Sequence, residues 1–253
     1  MHATGDLIGY VTGLLITLLL LVLTLRAARL PGTPLANIGF AFCALFWSAG
    51  GLITAVGIGS GVKHLRHVAY AAEALQFTGV AAVPIPILVI WRRFAQRPWQ
   101  KAASRVLIYV ACAATIAIAS LLWFDLASRS FVKELTAYGG AVFLVAGCAV
   151  SLRKQTTPRS VYLPSITMAL AVCASVLGTV ALRTLPFEVG WLGFTVAHLI
   201  LLIAICAFLL FARFRYADEF IKYGVRVLIA GAWATVIVLI AQSAALYSII
   251  HHM

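Results

Sequence analysis

Leu7–Leu25 reads LIGYVTGLLITLLLLVLTL, a run without one charged side chain. As a helix rising 1.5 Å per residue, it spans about 28 Å, the thickness of a bilayer's hydrocarbon core. A barrel strand would need only about 10 residues of alternating polarity, and no alternation is present. In lipid the backbone must satisfy its own hydrogen bonds, so a run of this length is a transmembrane helix.

Seven more runs of the same kind follow. They predict spans over 36–58, 68–91, 106–124, 135–152, 161–182, 191–212 and 227–250, giving an all-α, polytopic integral membrane bundle of about eight transmembrane helices. The 253 residues form one transmembrane domain, since no connection is long enough for a soluble one. Composition agrees. Charged residues make up 10% of the chain and hydrophobic residues 63%, where a soluble protein carries about a quarter charged. Mean hydropathy is +1.05. The segment before Leu7, MHATGD, holds no Lys or Arg, so the first run predicts a retained helix rather than a cleaved signal peptide. No lipidation motif is present at either end.

The net charge of +12 does not predict nucleic-acid binding, because the basic residues lie at loop ends rather than in a basic domain. There they orient the protein and meet lipid headgroups. Arg26, Arg29, Arg92, Arg93, Arg97, Lys101, Arg105, Arg153, Lys154, Arg159, Arg213, Arg215, Lys222 and Arg226 follow odd-numbered spans. Only Lys63, Arg66, Arg129, Lys133 and Arg183 fall in the alternate loops. The asymmetry predicts odd loops in the cytoplasm and both termini outside, as for a bacterial inner-membrane protein. Trp91, Trp99, Tyr109 and Tyr162 would then anchor the inner boundary, and Tyr10, Tyr70, Trp123, Tyr138, Trp191 and Tyr247 the outer one. Trp47 and Trp233 are deeper and are expected between helices. Pro84 and Pro86 interrupt the third span, predicting a kink there that is either a hinge or a tolerated irregularity.

Glu73 is the sole acidic residue inside a predicted span. An intramembrane carboxylate is costly and faces the bundle interior with a partner. Gln76, one turn on, shares its face. His198 and Gln242 lie at a similar predicted depth, roughly 8–12 Å below the outer surface. These four predict an outward-facing polar site that binds a ligand or proton, or else a structural hydrogen-bond cluster. His64 and His67, at i and i+3, could hold a transition metal. A bis-His haem would need facing histidines at matched depth, and His67 and His198 differ by one to two turns. No cofactor is assigned.

The five cysteines, Cys43, Cys112, Cys148, Cys173 and Cys206, are scattered through apolar runs as packing residues, without a CxxC pair. HExxH, GxSxG and Walker A motifs are missing, and no base is evidently placed for Ser48 or Ser165, so an enzyme is not expected. A small-solute or metal transporter using Glu73 and His198 is the alternative from another class. The seventh span shows no interruption to match that at Pro84, as an internal repeat would require.

After the seventh run comes FRYADEFIK, Phe214–Lys222. If it is helical, Arg215/Glu219 and Asp218/Lys222 are i, i+4 pairs, and its aromatic residues can sit at headgroup level. Seven spans with an outer N-terminus, then this segment and another apolar run, resemble the membrane-embedded sensor region of certain bacterial histidine kinases. The layout is shared along the whole chain, the motif only over Phe214–Lys222. The resemblance implies sensing through the bundle and a coupling segment at Arg215, Asp218, Glu219 and Lys222. The chain departs from the family where a kinase would follow: His251-His252-Met253 succeed the eighth run, without a phosphoacceptor or ATP-binding region. The expectation is therefore a non-enzymatic sensor-like module, or a subunit of a larger membrane complex, whose partners are lipids and further membrane subunits or a separate signalling protein.

Overall fold

The computed structural model describes residues 2–29, 35–59, 63–151, 163, 166 and 216–251. The predicted spans 161–182, apart from positions 163 and 166, and 191–212, with His198 and Arg215, lie outside the described residues. What is described is helical, with no strand. The elements are α1 (His2–Ala28), α2 (Leu35–Gly59), α3 (Lys63–Ala82), α4 (Pro84–Trp91), α5 (Pro98–Trp123), α6 (Arg129–Ser151) and α7 (Ala217–His251), with one 3-10 turn at Arg92–Phe94. Among the described residues, six helical stretches are long and apolar enough to cross a membrane: Leu7–Ala28, Leu35–Gly57, Leu65–Phe94, Pro98–Trp123, Arg129–Ser151 and Asp218–Ala245. The architecture is that of a multi-pass membrane protein.

Several helices start before the apolar run that predicts them. Helix α5 begins at Pro98 and α7 at Ala217, against predicted starts of 106 and 227. Apolar length marks only the hydrocarbon crossing. The helix continues beyond it because polar side chains tolerate the headgroup region while the backbone keeps its hydrogen bonds. Helix α5 also has a local start signal. Pro98 stands in its first turn, where its missing N–H costs nothing, and the Arg97 N–H donates to Gln100 Oε1 at 3.0 Å.

Helix α2 packs between α1 and α3, α7 lies on the far side of α1, and α5 and α6 close against α3 and α4. The α2–α3 contact is the tightest. A Cβ added at Gly50 would come within 2.6 Å of the Ala72 carbonyl oxygen, and one at Gly57 within 2.8 Å of Ala69 Cβ. Between them Thr54 Oγ1 donates to the Ala69 carbonyl at 3.2 Å. Lipid tails are as apolar as leucine, so helices here associate through close packing and hydrogen bonds rather than through hydrophobic exclusion.

The helical hydrogen bonding of the third span is interrupted at Val83, although its backbone stays in the right-handed helical region at φ −51° and ψ −42°. Val83 is a turn residue between α3 and α4, and its N–H donates to the Val80 carbonyl at 3.1 Å. Pro84 and Pro86 are both buried. Thr115 Oγ1 of α5 donates to the Ala81 carbonyl at 3.0 Å, a hydroxyl serving a backbone acceptor beside the proline break.

Each side of the break has its own core. Towards one end, Ala74 and Ala81 of α3 pack with Ile118, Leu122 and Val132. Towards the other, Ile87, Leu88 and Trp91 of α4 pack with Leu20, Phe40, Leu144 and Phe220. Trp91 is fully buried, so it is a core residue rather than the boundary anchor the sequence suggests. Trp233, expected between helices, is 64% exposed; among the described elements α7 packs chiefly on α1. Trp47 does lie between helices, edge-on to Phe77 with centroids 6.1 Å apart.

Candidate functional site: a carboxylate held by two cations

Glu73 is directed at the start of α6. Its Oε2 accepts from Arg129 Nη1 at 2.9 Å, and its Oε1 pairs with Lys133 Nζ. Arg129 and Lys133 stand one turn apart, so one face of α6 presents both cations to a single carboxylate. The Glu73 side chain is 11% exposed and those of Arg129 and Lys133 are 25% and 33% exposed. Each oxygen carries one cation, so an exogenous cation or proton would compete with both side chains for the carboxylate.

Aromatic faces back the cations. The Arg129 guanidinium lies 4.6 Å from the Tyr70 ring centroid, and the Lys133 ammonium 5.4 Å from that of Phe77. Both rings come from α3, so ring and carboxylate grip α6 together. Asp125 adds a weaker, exposed contact, with its Oδ1 3.6 Å from Arg129 Nε. Asp125 takes the left-handed conformation at φ 52° and ends α5. The Phe124 N–H makes the last ordinary helical bond, to the Ser120 carbonyl at 3.1 Å, and the Leu126 N–H bonds back to the Leu121 carbonyl at 3.0 Å, the six-to-one bond of a Schellman cap. Aspartate is among the few non-glycine residues that tolerate this conformation, and here its charge faces Arg129 as well.

The predicted four-residue site is assembled differently. Gln76 is buried beside Glu73 but turns to α1, where its Nε2 donates to the Tyr10 hydroxyl at 3.5 Å. Tyr10 is half-buried and lies against Gly51 of α2. Gln242 is on α7. Arg26 stacks on Tyr216 and Thr12 lies against Gly231, so α1 and α7 are antiparallel. That register puts Gln242 level with the first residue of α1. Glu73, a turn from the level of Tyr10, is about 9 Å deeper. Equal depth, inferred from run boundaries, therefore does not hold for this pair. His198 lies outside the described residues. His67 is exposed at the start of α3, and His64 occupies the same first turn of the helix. Among the described residues no group of three or more His, Cys, Asp or Glu side chains converges as a metal site.

Arg129 and Lys133 are the residues missed. Their signal was present: two basic residues at i, i+4 directly before an apolar run, on the same predicted side as the lone intramembrane acid. Assigning them to a loop concealed their shared helical face.

The other end holds the coupling candidates. Arg26, in the last turn of α1, lies 5.0 Å from the Tyr216 ring centroid. Phe220, one turn on, is fully buried in the Trp91 core. Asp218, Glu219 and Lys222 are exposed, with both acids in the first turn of α7, where the helix dipole favours them. No ion pair joins Asp218 to Lys222 among the described residues. Ser104 and Ser151, both buried, share a hydrogen bond at 2.9 Å that ties the start of α5 to the end of α6.

Comparison with protein-family models, curated proteins and solved structures found no match to this chain.

Proposed function

We propose that this chain is a non-enzymatic, sensor-like membrane module. In it the Glu73–Arg129–Lys133 cluster is the input and the Tyr216–Lys222 segment is the output. One observation carries the proposal. Glu73 and Trp91 belong to a single membrane-crossing unit, broken between them at Val83, and Trp91 packs in the core that buries Phe220. A change in the pairing of Glu73 alters how α3 is held against α6. The proline break lets α3 and α4 respond as two segments, and α4 bears on the docked start of α7. Coupling of this kind needs an element with two arrangements, and the break supplies a place for one.

The test is amide hydrogen exchange on the full chain in lipid nanodiscs. E73Q is expected to speed exchange of the 216–222 amides by tenfold or more. The same change on a P84A/P86A background is expected to have a much smaller effect there. Local opening of a docked segment is what such exchange reports. If E73Q loosens α6 near Arg129 while leaving 216–222 as in wild type, the two ends are uncoupled and the sensor proposal fails.

The orientation belongs to the same proposal: eight spans in a bacterial inner membrane, with the Trp91 end in the cytoplasm and the N-terminus outside. The charge count supports it more strongly once structure is considered. Two of the few basic residues at the Glu73 end share that carboxylate, which offsets one of their two charges, whereas Lys101 and Arg105 at the Trp91 end have no acidic partner among the described residues. A membrane-impermeant thiol reagent applied to intact cells should label A127C and not Q96C. The opposite pattern would invert the topology.

A second proposal, a subunit of a larger complex, is favoured by α7, whose Tyr223, Ile229, Trp233, Ile237 and Ile240 are exposed. Crosslinking from a photoreactive residue at position 233 distinguishes a protein neighbour from lipid.

A further inference from the structure

The chain turns sharply between the third and fourth spans, and the turn encloses a cleft. The 3-10 turn Arg92–Phe94 leads into an extended Ala95, and α5 starts at Pro98. Between this turn and the first turns of α5 is a half-open cavity of about 260 Å³, lined by Gln96, Pro98, Lys101, Ala102 and Arg105. Ordinary small-molecule pockets are about 300–1,000 Å³, so this one suits a headgroup fragment.

Its chemistry is cationic. Lys101 and Arg105 stand one turn apart, both exposed, and Ala102 between them leaves room at the wall. No carboxylate among the described residues pairs with either. Arg92, Arg93 and Arg97 belong to the same connection, so the local potential is positive throughout. Two cations one turn apart, one offering a planar fork of donors, make a phosphate-binding arrangement.

The surroundings select the source of the phosphate. Trp99, 49% exposed, marks the headgroup level beside the cleft. Further along α5, Val106, Tyr109 and Val110 are 59%, 71% and 48% exposed. An apolar strip thus continues from the cleft towards the membrane interior. A free phosphate would use the cations alone, whereas a phospholipid would use both features.

We propose that this cleft seats the phosphate of an anionic phospholipid, with the acyl chains lying along Val106, Tyr109 and Val110. The site depends on neither the sensor proposal nor the orientation, because each leaflet presents headgroups at that depth.

Native mass spectrometry of the delipidated full chain in detergent tests it, with phosphatidylglycerol as probe and phosphatidylcholine as the zwitterionic comparison. A juxtamembrane cation near an anionic surface contributes about fivefold in binding, so K101Q/R105Q is expected to weaken phosphatidylglycerol binding by roughly 25-fold. K101R/R105K is expected to retain it. K63Q/R66Q, which removes equal charge at the opposite end, is expected to leave it unchanged. Wild-type affinity in K101Q/R105Q overturns the site, and so does an equal loss in K63Q/R66Q. If inorganic phosphate binds as tightly as the lipid and displaces it, the lipid assignment is overturned in favour of a soluble anion.

Discussion

E73Q is expected to destabilise the folded protein by about 2–4 kcal/mol, more than any other single charge removal among the described residues. Removing one member of a buried pair typically costs about 3–5 kcal/mol, because the charge left behind is uncompensated. Here two cations are left, facing each other across one turn of α6. Partial exposure lowers the figure, since Arg129 and Lys133 still reach solvent. Glutamine matches glutamate in shape, so packing is not the cause. R129Q and K133Q are each expected to cost only about 1 kcal/mol, because the remaining cation still compensates Glu73. The triple variant E73Q/R129Q/K133Q should recover much of the loss. Unfolding by sodium dodecyl sulfate in mixed micelles, followed by circular dichroism, measures all four. An E73Q midpoint equal to wild type, or a triple variant no better than E73Q, would show that the cluster does not hold α3 to α6.

The second large effect is steric. Replacing Gly50 by leucine is expected to separate α2 from α3 and prevent correct assembly. The Cβ alone would stand 2.6 Å from the Ala72 carbonyl oxygen and 3.0 Å from the Gln76 backbone nitrogen. Both obstacles are backbone, so no side-chain rotation relieves them. Overpacking usually costs about 1–3 kcal/mol and more where nothing can yield. Gly50→Ala should fall in that range and Gly50→Leu beyond it. Gly139, whose added Cβ would meet nothing within 4 Å, is the control and should accept leucine. The monodisperse fraction on gel filtration and the thermal midpoint read both. A stable, monodisperse G50L protein would refute the close α2–α3 approach.

The two effects differ in how legible they were. The apolar runs identified every described span, because a bilayer imposes one length and one polarity on all of them. The break at Pro84 was legible for a similar reason: proline acts on its own backbone whatever surrounds it. The Gly50–Ala72 approach was not, since a glycine in an apolar run says nothing of which helix it meets. Glu73 was recognisable as costly and therefore partnered, but depth pointed to Gln242 and not to Arg129 and Lys133, which the structure pairs with it. Depth estimated from the edge of an apolar run carries the error of that edge, and α6 and α7 both begin well before theirs. Register from actual contacts, such as Arg26 with Tyr216, places these residues correctly. The burial of Phe220 was hidden as well. FRYADEFIK mixes rings and charges, and only packing reveals which ring is core.

The span of chain between Glu73 and its partners has a consequence for biosynthesis. The carboxylate precedes Arg129 by 56 residues. At about 5–20 residues per second, the ribosome leaves it waiting roughly 3–11 s before either cation is made. During that interval the third span must enter the translocon with its acid unmatched. The nascent bundle therefore has a defined order of events: α3 can be threaded early, but it is locked only when α6 arrives.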